Sequence, residues 1–256
     1  MSGSAPDPGR PLAGRVAVVT GAGRGIGRAV ALDWARAGAA VALAARSVGE
    51  LDAVAAEIQE AGGRAVVVVT DVTDPAAVDV CMTRTADALG GIDLVLANAG
   101  GTFPHGSVAE GDYTAWRDTF VLNVDGVYLT ARAAVPHLRA RGGGKILVTG
   151  SGAGRRAGPG WGPYASAKAA VSMLVRVLAQ ELRPDRIAVN EVVPGPVRTV
   201  LAEKAGATPT IVGTVAGVAT EWFKQPEDVT GLTRYLATLP DDGPTGQTFS
   251  LLGRDM

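Results

Sequence analysis

The sequence predicts a doubly wound, Rossmann-type parallel α/β sheet of about seven strands, with helices on both faces and a single domain. Three observations predict it. Short runs of β-branched and small apolar residues recur along the chain almost without polar interruption, and strands of that kind are buried on both faces. Stretches with apolar residues at helical spacing separate the runs, which is the alternation of βαβ units. No composition break and no internal repeat marks a second domain, and 256 residues can bury one full core.

Each element follows from its local pattern. "RVAVVT" (15–20) is too short for a free-standing helix and reads as the first strand. A helical pattern runs from Ile26 to about Ala37 and stops at Gly38. "AAVALAA" (39–45) is the second strand, and the amphipathic 51–63 ends at a Gly pair. "AVVVVTDV" (65–72) is the third strand. The helix over 74–90 opens with Asp74 as N-cap and Pro75 at the first helical position, where the missing N–H costs nothing. "IDLVLANAG" (92–100) is the fourth strand with its loop, followed by one long helix from about Tyr113 to Arg141. "KILVTG" (145–150), a helix over about 164–182 and "RIAVNEVVPG" (186–195) come next. A less regular segment (197–223), a helix (226–239) and the strand "QTFSLL" (247–252) complete the series. Right-handed crossovers then give the doubly wound sheet, with ligands at the carboxyl ends of the strands near the switch point.

Composition excludes several functions. A formal net charge of -1 gives no electrostatic reason to bind nucleic acid or an anionic membrane. No apolar run reaches the length of a membrane span, and residues 1–13 read as a flexible Gly/Pro/Ser tail without a signal-peptide core. The single cysteine, Cys81, fits a reducing compartment and reads as a small buried residue, so the expected location is the cytoplasm. No Cys/His cluster has metal spacing, so no metal is expected. His105 reads as a solvated loop residue, His137 as structural and Asp241-Asp242-Gly243 as a turn.

The stretch "TGAGRGIGRAV" (20–30) sits between the first strand and the first helix. A helix N-terminus there offers unpaired N–H groups and the positive end of its dipole, which stabilise a phosphate. Its glycines fail the G-x-G-x-x-G fingerprint but fit Gly21-x-x-x-Gly25-x-Gly27. Preceded by Thr20, this T-G-x-x-x-G-x-G pattern resembles the short-chain dehydrogenase/reductase family, in its NADP-preferring, 3-oxoacyl reductase-like branch. The likeness covers about residues 14–256. Asp71-Val72 matches the family's adenine contact, and "NAG" (98–100) follows the fourth strand, with Ala97 where the family usually has a further Asn.

Tyr164 and Lys168 form Y-x-x-x-K, and residues i and i+4 share a helix face. A nearby ammonium favours the phenolate, which makes such a tyrosine usable for proton transfer. Ser151 follows the fifth strand, and Asn123 lies in the long helix before it. By resemblance, Tyr164 is the general acid or base and Ser151 stabilises the substrate oxygen. Lys168 lowers the Tyr164 pKa and bonds the nicotinamide ribose, and Asn123 holds a water in a proton relay. The turn 194–199 resembles the family's nicotinamide-side turn, with Pro194, Gly195, Val197 and Thr199 as contacts.

An NAD site usually carries an acid at the end of the second strand. Here Ala45 stands at that place, followed by Arg46 and Ser47. Arg46 and Arg24 can meet the extra phosphate of NADP from two sides, so the expected cofactor is NADP(H). The full set of expected cofactor residues is Thr20, Gly21, Gly23, Arg24, Gly25, Ile26, Gly27, Arg46, Ser47, Asp71, Val72, Asn98, Ala99, Gly100, Tyr164, Lys168, Pro194, Gly195, Val197 and Thr199. Segment 197–223 is where the family carries its substrate lid, and Phe103, Trp161, Val200 and Trp222 join Ser151 and Tyr164 as expected pocket residues. The expected reaction is reduction of a small-molecule ketone. An NAD-linked alcohol or sugar dehydrogenase and a non-catalytic nucleotide sensor are the rivals. The resemblance also implies a homotetramer, a dimer of dimers.

Overall fold

The structure is a computed structural model, and it describes residues 9–103, 106–156, 158–199, 214–215, 218–219 and 222–253. Seven parallel strands form the main sheet. Strand β1 (Val16–Thr20) leads to α1 (Gly25–Arg36), β2 (Ala40–Ala45) to α2 (Val48–Glu60), and β3 (Arg64–Val69) to α3 (Pro75–Leu89). Strand β4 (Leu94–Ala97) is followed by α4 (Tyr113–Phe120) and α5 (Gly126–Ala140), and β5 (Gly144–Thr149) by α6 (Gly162–Glu181). After β6 (Ile187–Val193) come the two-residue strands β7 (Thr214–Val215) and β8 (Val218–Ala219), an antiparallel pair within the expected lid. The chain then forms α7 (Thr230–Thr238) and β9 (Thr248–Ser250). The N-terminal residues 1–8, Pro104, His105, Val200 and most of the expected lid lie outside the described residues.

The sheet order is β3-β2-β1-β4-β5-β6-β9. Strand order reverses between β1 and β4, so a crevice opens where their carboxyl ends diverge. Alternation along each strand divides the interior in two. Val18, Val95 and Ile146 enter one core with Met82 of α3, Leu138 of α5 and Val175 of α6. Ala17, Val19, Leu94, Leu96 and Leu147 enter the other with Trp34 of α1, Leu51 and Ile58 of α2 and Leu236 of α7. Cys81 is buried in the first core, as its sequence context predicts.

Local chemistry sets several boundaries where the sequence puts them. Asp74 caps α3 by accepting from the amides of Ala76 and Ala77. Gly90 closes the same helix at φ 93°, a backbone that only glycine adopts without strain. The expected single helix over 113–141 is instead two helices joined by a π turn, Val121–Asp125, with Asn123 at its centre. A π turn widens the backbone by one residue and re-aims a side chain. Asn123, fully buried, uses that freedom to donate to the carbonyls of Gly101 and Thr119 at 2.6 and 2.8 Å.

Candidate active site

The loops after β1 and β4 are tied together at the switch point. The Thr20 hydroxyl accepts from the amides of Asn98 and Ala99 at 2.9 and 3.1 Å and donates to the Leu96 carbonyl. The Asn98 side chain donates back to the Thr20 carbonyl, and its oxygen accepts from the Thr149 hydroxyl. With Ala97 in place of a second Asn, Asn98 therefore holds three strand ends through β1, β4 and β5.

The glycine loop is packed to its limit. A Cβ on Gly21 would come 2.9 Å from Asn98 Nδ2, and one on Gly27 would collide with Asn98 and the Gly21 carbonyl. Gly21 and Gly25 both have positive φ, 66° and 57°. A Cβ on Gly25 would lie 3.3 Å from Thr199, so the start of α1 faces the turn after β6. Arg24 occupies the N-cap of α1, and no side chain caps the helix among the described residues. The first N–H groups of α1 are thus available to an anion.

At the end of β2, Arg46 is exposed and lies 4.0 Å from Asp71, while Val72 is buried beside it. Asp71 accepts from the amide and hydroxyl of Thr73, and these bonds hold its carboxyl below the usual carboxylate range. Arg24 does not stand alone beside the loop. Its guanidinium pairs with Glu50 of α2 at 3.2 Å, and Glu50 lies directly over Gly23. The sequence pattern starts this helix at 51; in the structure α2 begins at Val48, and Glu50 in its first turn faces the loop.

The residues expected to transfer a proton come together at the ends of β4 and β5 and on the first turns of α6. Pro163 lies in the first turn of α6, where its ring fits, and sets Tyr164 and Lys168 on one face. Ser151 faces the half-buried Tyr164, near enough for its hydroxyl to act on the phenol. Its oxygen also accepts from the Ala153 amide at 3.2 Å, which fixes the 3-10 turn Gly152–Gly154. Lys168 is buried, donates to the Thr149 carbonyl at 2.9 Å and lies 5.8 Å from the centre of the Tyr164 ring. Gly100 borders this group from β4: a Cβ there would be 2.9 Å from Asn123 Oδ1 and 3.6 Å from Lys168 Nζ.

Burial governs both ionisable groups. It pushes the Tyr164 phenol up, with the Ser151 hydroxyl opposing. It pulls Lys168 down to about 8, with the carboxylate of Glu191 opposing. The sequence reading has Lys168 lowering the Tyr164 pKa; in the structure desolvation is the dominant influence, and the Lys168 ammonium is engaged by a carbonyl. Glu191 and Thr149 are the two participants that the sequence motifs leave out. An acid inside the apolar run "RIAVNEVVPG" is the signal for Glu191, whereas a backbone carbonyl leaves none.

The expected pocket residues scatter more widely. Trp161 is the N-cap of α6, half exposed, three residues before Tyr164. Phe103 is exposed in the loop after β4. Trp222 is exposed, with Lys224 Nζ 3.6 Å from its ring centre. Pro194, Gly195 and the buried Val197 follow β6, and Val197 pairs with Lys224 in an isolated bridge.

This arrangement has counterparts. The family described as short chain dehydrogenase matches residues 15–210. The chain belongs to the short-chain dehydrogenase family. It is accordingly an NAD(P)-dependent oxidoreductase acting on CH–OH or C=O groups. Among its relatives in this family is the 3-oxoacyl-[acyl-carrier-protein] reductase of a Synechocystis strain, 36% identical over 244 residues that make up 94% of this chain and 97% of that one. The chloroplastic NADPH-dependent aldehyde reductase-like protein of Arabidopsis thaliana is 33% identical over 95% of this chain and 94% of its own. A solved short chain dehydrogenase from Burkholderia cenocepacia, in complex with NADP, superposes with a TM-score of 0.85 at 33% identity, covering 95% of this chain and 98% of that one. Among the described residues no helix is long and apolar enough to cross a membrane, and no cluster could hold a metal ion.

Proposed function

We propose that this enzyme reduces a ketone to a secondary alcohol with NADPH, using Tyr164 as general acid. The observation that carries the reading is the meeting of Ser151, Tyr164 and a buried Lys168, whose ammonium bonds the Thr149 carbonyl and lies 5.8 Å from the Tyr164 ring centre, at the carboxyl ends of β4 and β5. A phenol whose pKa is raised stays protonated at neutral pH, as a proton donor must. Ser151 orients the carbonyl oxygen and steadies the charge that develops on it.

The residues fit the cofactor. The glycines of the loop admit no side chain, the α1 N-terminus has N–H groups to spare, and Thr20 fixes the loop against Asn98. These would hold the pyrophosphate, with Asp71 and Val72 at the adenine, Lys168 at the nicotinamide ribose, and Val197 and Thr199 at the carboxamide. The cofactor, when bound, supplies the hydride. Arg24, Arg46 and Ser47 stand where a 2′-phosphate needs cations and donors, and Ala45 offers no acid for a ribose hydroxyl. The Burkholderia relative's NADP complex supports the same choice.

One observation favours an NAD-linked dehydrogenase instead: Glu50 lies over Gly23 and pairs with Arg24. Aliphatic and aromatic ketones assayed with NADPH and NADH side by side separate the readings. Turnover at least tenfold faster with NADPH is expected, and a ratio near or below one would overturn the choice. Segment 197–223 is read as the substrate lid. A homotetramer is read from the resemblance, supported by the exposed Tyr128 of α5 and Met173 and Val177 of α6, and a cytoplasmic location from the single cysteine; sedimentation velocity tests the assembly.

A further inference from the structure

Glu191 is a carboxylate buried in the sheet, on the strand beside the edge strand β9. It lies on β6, only 1% exposed, in a strand whose other residues are all buried as well. A charge in such a place persists only where other groups bond it. Three do, each from a different element. Glu191 Oε2 accepts from Arg155 Nη2 at 3.2 Å, from the Ser172 hydroxyl at 3.0 Å and from the Thr248 hydroxyl at 2.7 Å. Arg155 ends the 3-10 turn that follows Ser151. Ser172 lies on α6 four residues beyond Lys168, on the face that also carries Tyr164. Thr248 begins β9, and Arg155 donates to its hydroxyl as well.

The backbone makes room for this carboxylate. Gly150 immediately precedes Ser151, and any Cβ there would overlap Glu191 Oε1. Gly150 does not have a positive φ, so its lack of a side chain matters for close approach and not for backbone freedom. The carboxylate thus sits under the residue that carries the Ser151 turn.

We propose that Glu191 is a positioning residue of the reaction: it ties the Ser151 turn to the Tyr164/Lys168 helix and supplies the buried negative charge that faces the Lys168 ammonium. The inference rests on the reductase reading above. The groups around Lys168 set the sign. Tyr164 faces it from its own helix, Glu191 from β6, the Thr149 carbonyl from β5 and neutral Asn123 from the π turn. Arg155 is the cation bound to Glu191. On α4, packed alongside α6, Arg117 and Asp118 pair with each other at the surface, and beyond the end of α6 Asp185 pairs with Arg139. Glu191 is the one carboxylate that opposes the effect of burial on Lys168.

The test is the pH profile of kcat/KM for ketone reduction. Tyr164 and Lys168 lie side by side on α6, and a nearby negative charge raises the pKa of either, so the basic limb reports that charge whichever of the two sets it. Glu191→Gln keeps the shape and removes the charge. The basic limb is expected to move down by about one pH unit. Ser172→Ala and Thr248→Val remove hydrogen bonds but keep the charge, and the limb should stay where it is in both. Arg155→Met leaves the carboxylate without its cation, so the limb should move up; this arm decides the matter if Glu191→Gln does not fold. An unmoved limb in Glu191→Gln, an equal shift in the two hydroxyl variants, or no upward shift in Arg155→Met would overturn the assignment while leaving the reductase reading intact. A wild-type protein inactive on every ketone would sink both.

Discussion

Tyr164 and Lys168 were readable from sequence because their relation is local: four residues on a helix fix a shared face before any tertiary contact forms. What surrounds them was less legible. The partner of Lys168 Nζ is a backbone carbonyl, and Glu191 approaches from a strand 23 positions beyond Lys168 in the chain. The direction of the Tyr164 shift follows from the surroundings as well, since burial raises the phenol where the motif alone suggests lowering. Replacing the hydroxyl is the cleanest probe of its role. Tyr164→Phe removes the hydroxyl that would donate the proton while filling nearly the same space. Turnover should fall by at least ~100-fold, the lower range for a lost general acid. NADPH affinity by fluorescence titration should stay within a few-fold of wild type. Turnover near wild type would remove Tyr164 from the reaction.

At the scale of elements, the sequence reads best where one local rule decides. The strands are legible because their β-branched runs permit little else, and α3 because Asp74, Pro75 and Gly90 mark its ends. The π turn is not legible, because apolar spacing continues from α4 into α5 and gives no sign of one added residue. Nor is the contact of α2 with the glycine loop, which exists only once β1 and β2 lie side by side. That contact carries a consequence for the cofactor. Glu50 neutralises Arg24 and places a negative charge beside the loop, so a 2′-phosphate must displace it. The pair is well exposed, with side chains 62% and 38% accessible, and such pairs contribute only about 0–1 kcal/mol. Glu50→Gln should therefore tighten NADPH binding by a few-fold, up to about fivefold, and leave NADH unchanged when both are measured by calorimetry. Weaker NADH binding in this variant would instead assign Glu50 to a ribose hydroxyl.

For the whole molecule, fold class was legible and strand order only in outline. Alternating elements imply parallel pairing and crossovers, but which edge β4 joins depends on long-range packing, and the two cores show the result. The fold also buries two lysines at opposite ends of β5. Lys168 bonds the carbonyl of Thr149 at the carboxyl end. Lys145, near the other end, bonds the Pro240 carbonyl at 2.5 Å beside the Arg15–Asp241 pair. Burial pulls both from the ordinary lysine value of 10.5 to about 8. Below pH 8 both are charged in folded and unfolded chains alike, and the cost of burying that charge is fully present. Between about 8 and 10.5 the unfolded chain holds more protons, so stability rises with pH across that window. Tyr164, held above its ordinary 10.0, and the buried thiol of Cys81, held above its ordinary 9.0, work the other way, since above those values the unfolded chain loses the proton first. Urea unfolding at pH 8, 9 and 10 should show increasing stability. Lys145→Met removes one of two similar contributions, so it should cut the slope to about half between pH 8 and 9 and leave it nearly flat above pH 9, where the Cys81 thiol opposes the remaining lysine. A wild-type stability that is flat or falling from pH 8 to 9 would mean that the two lysines stay charged in the folded protein across that window, and would overturn the lowered values.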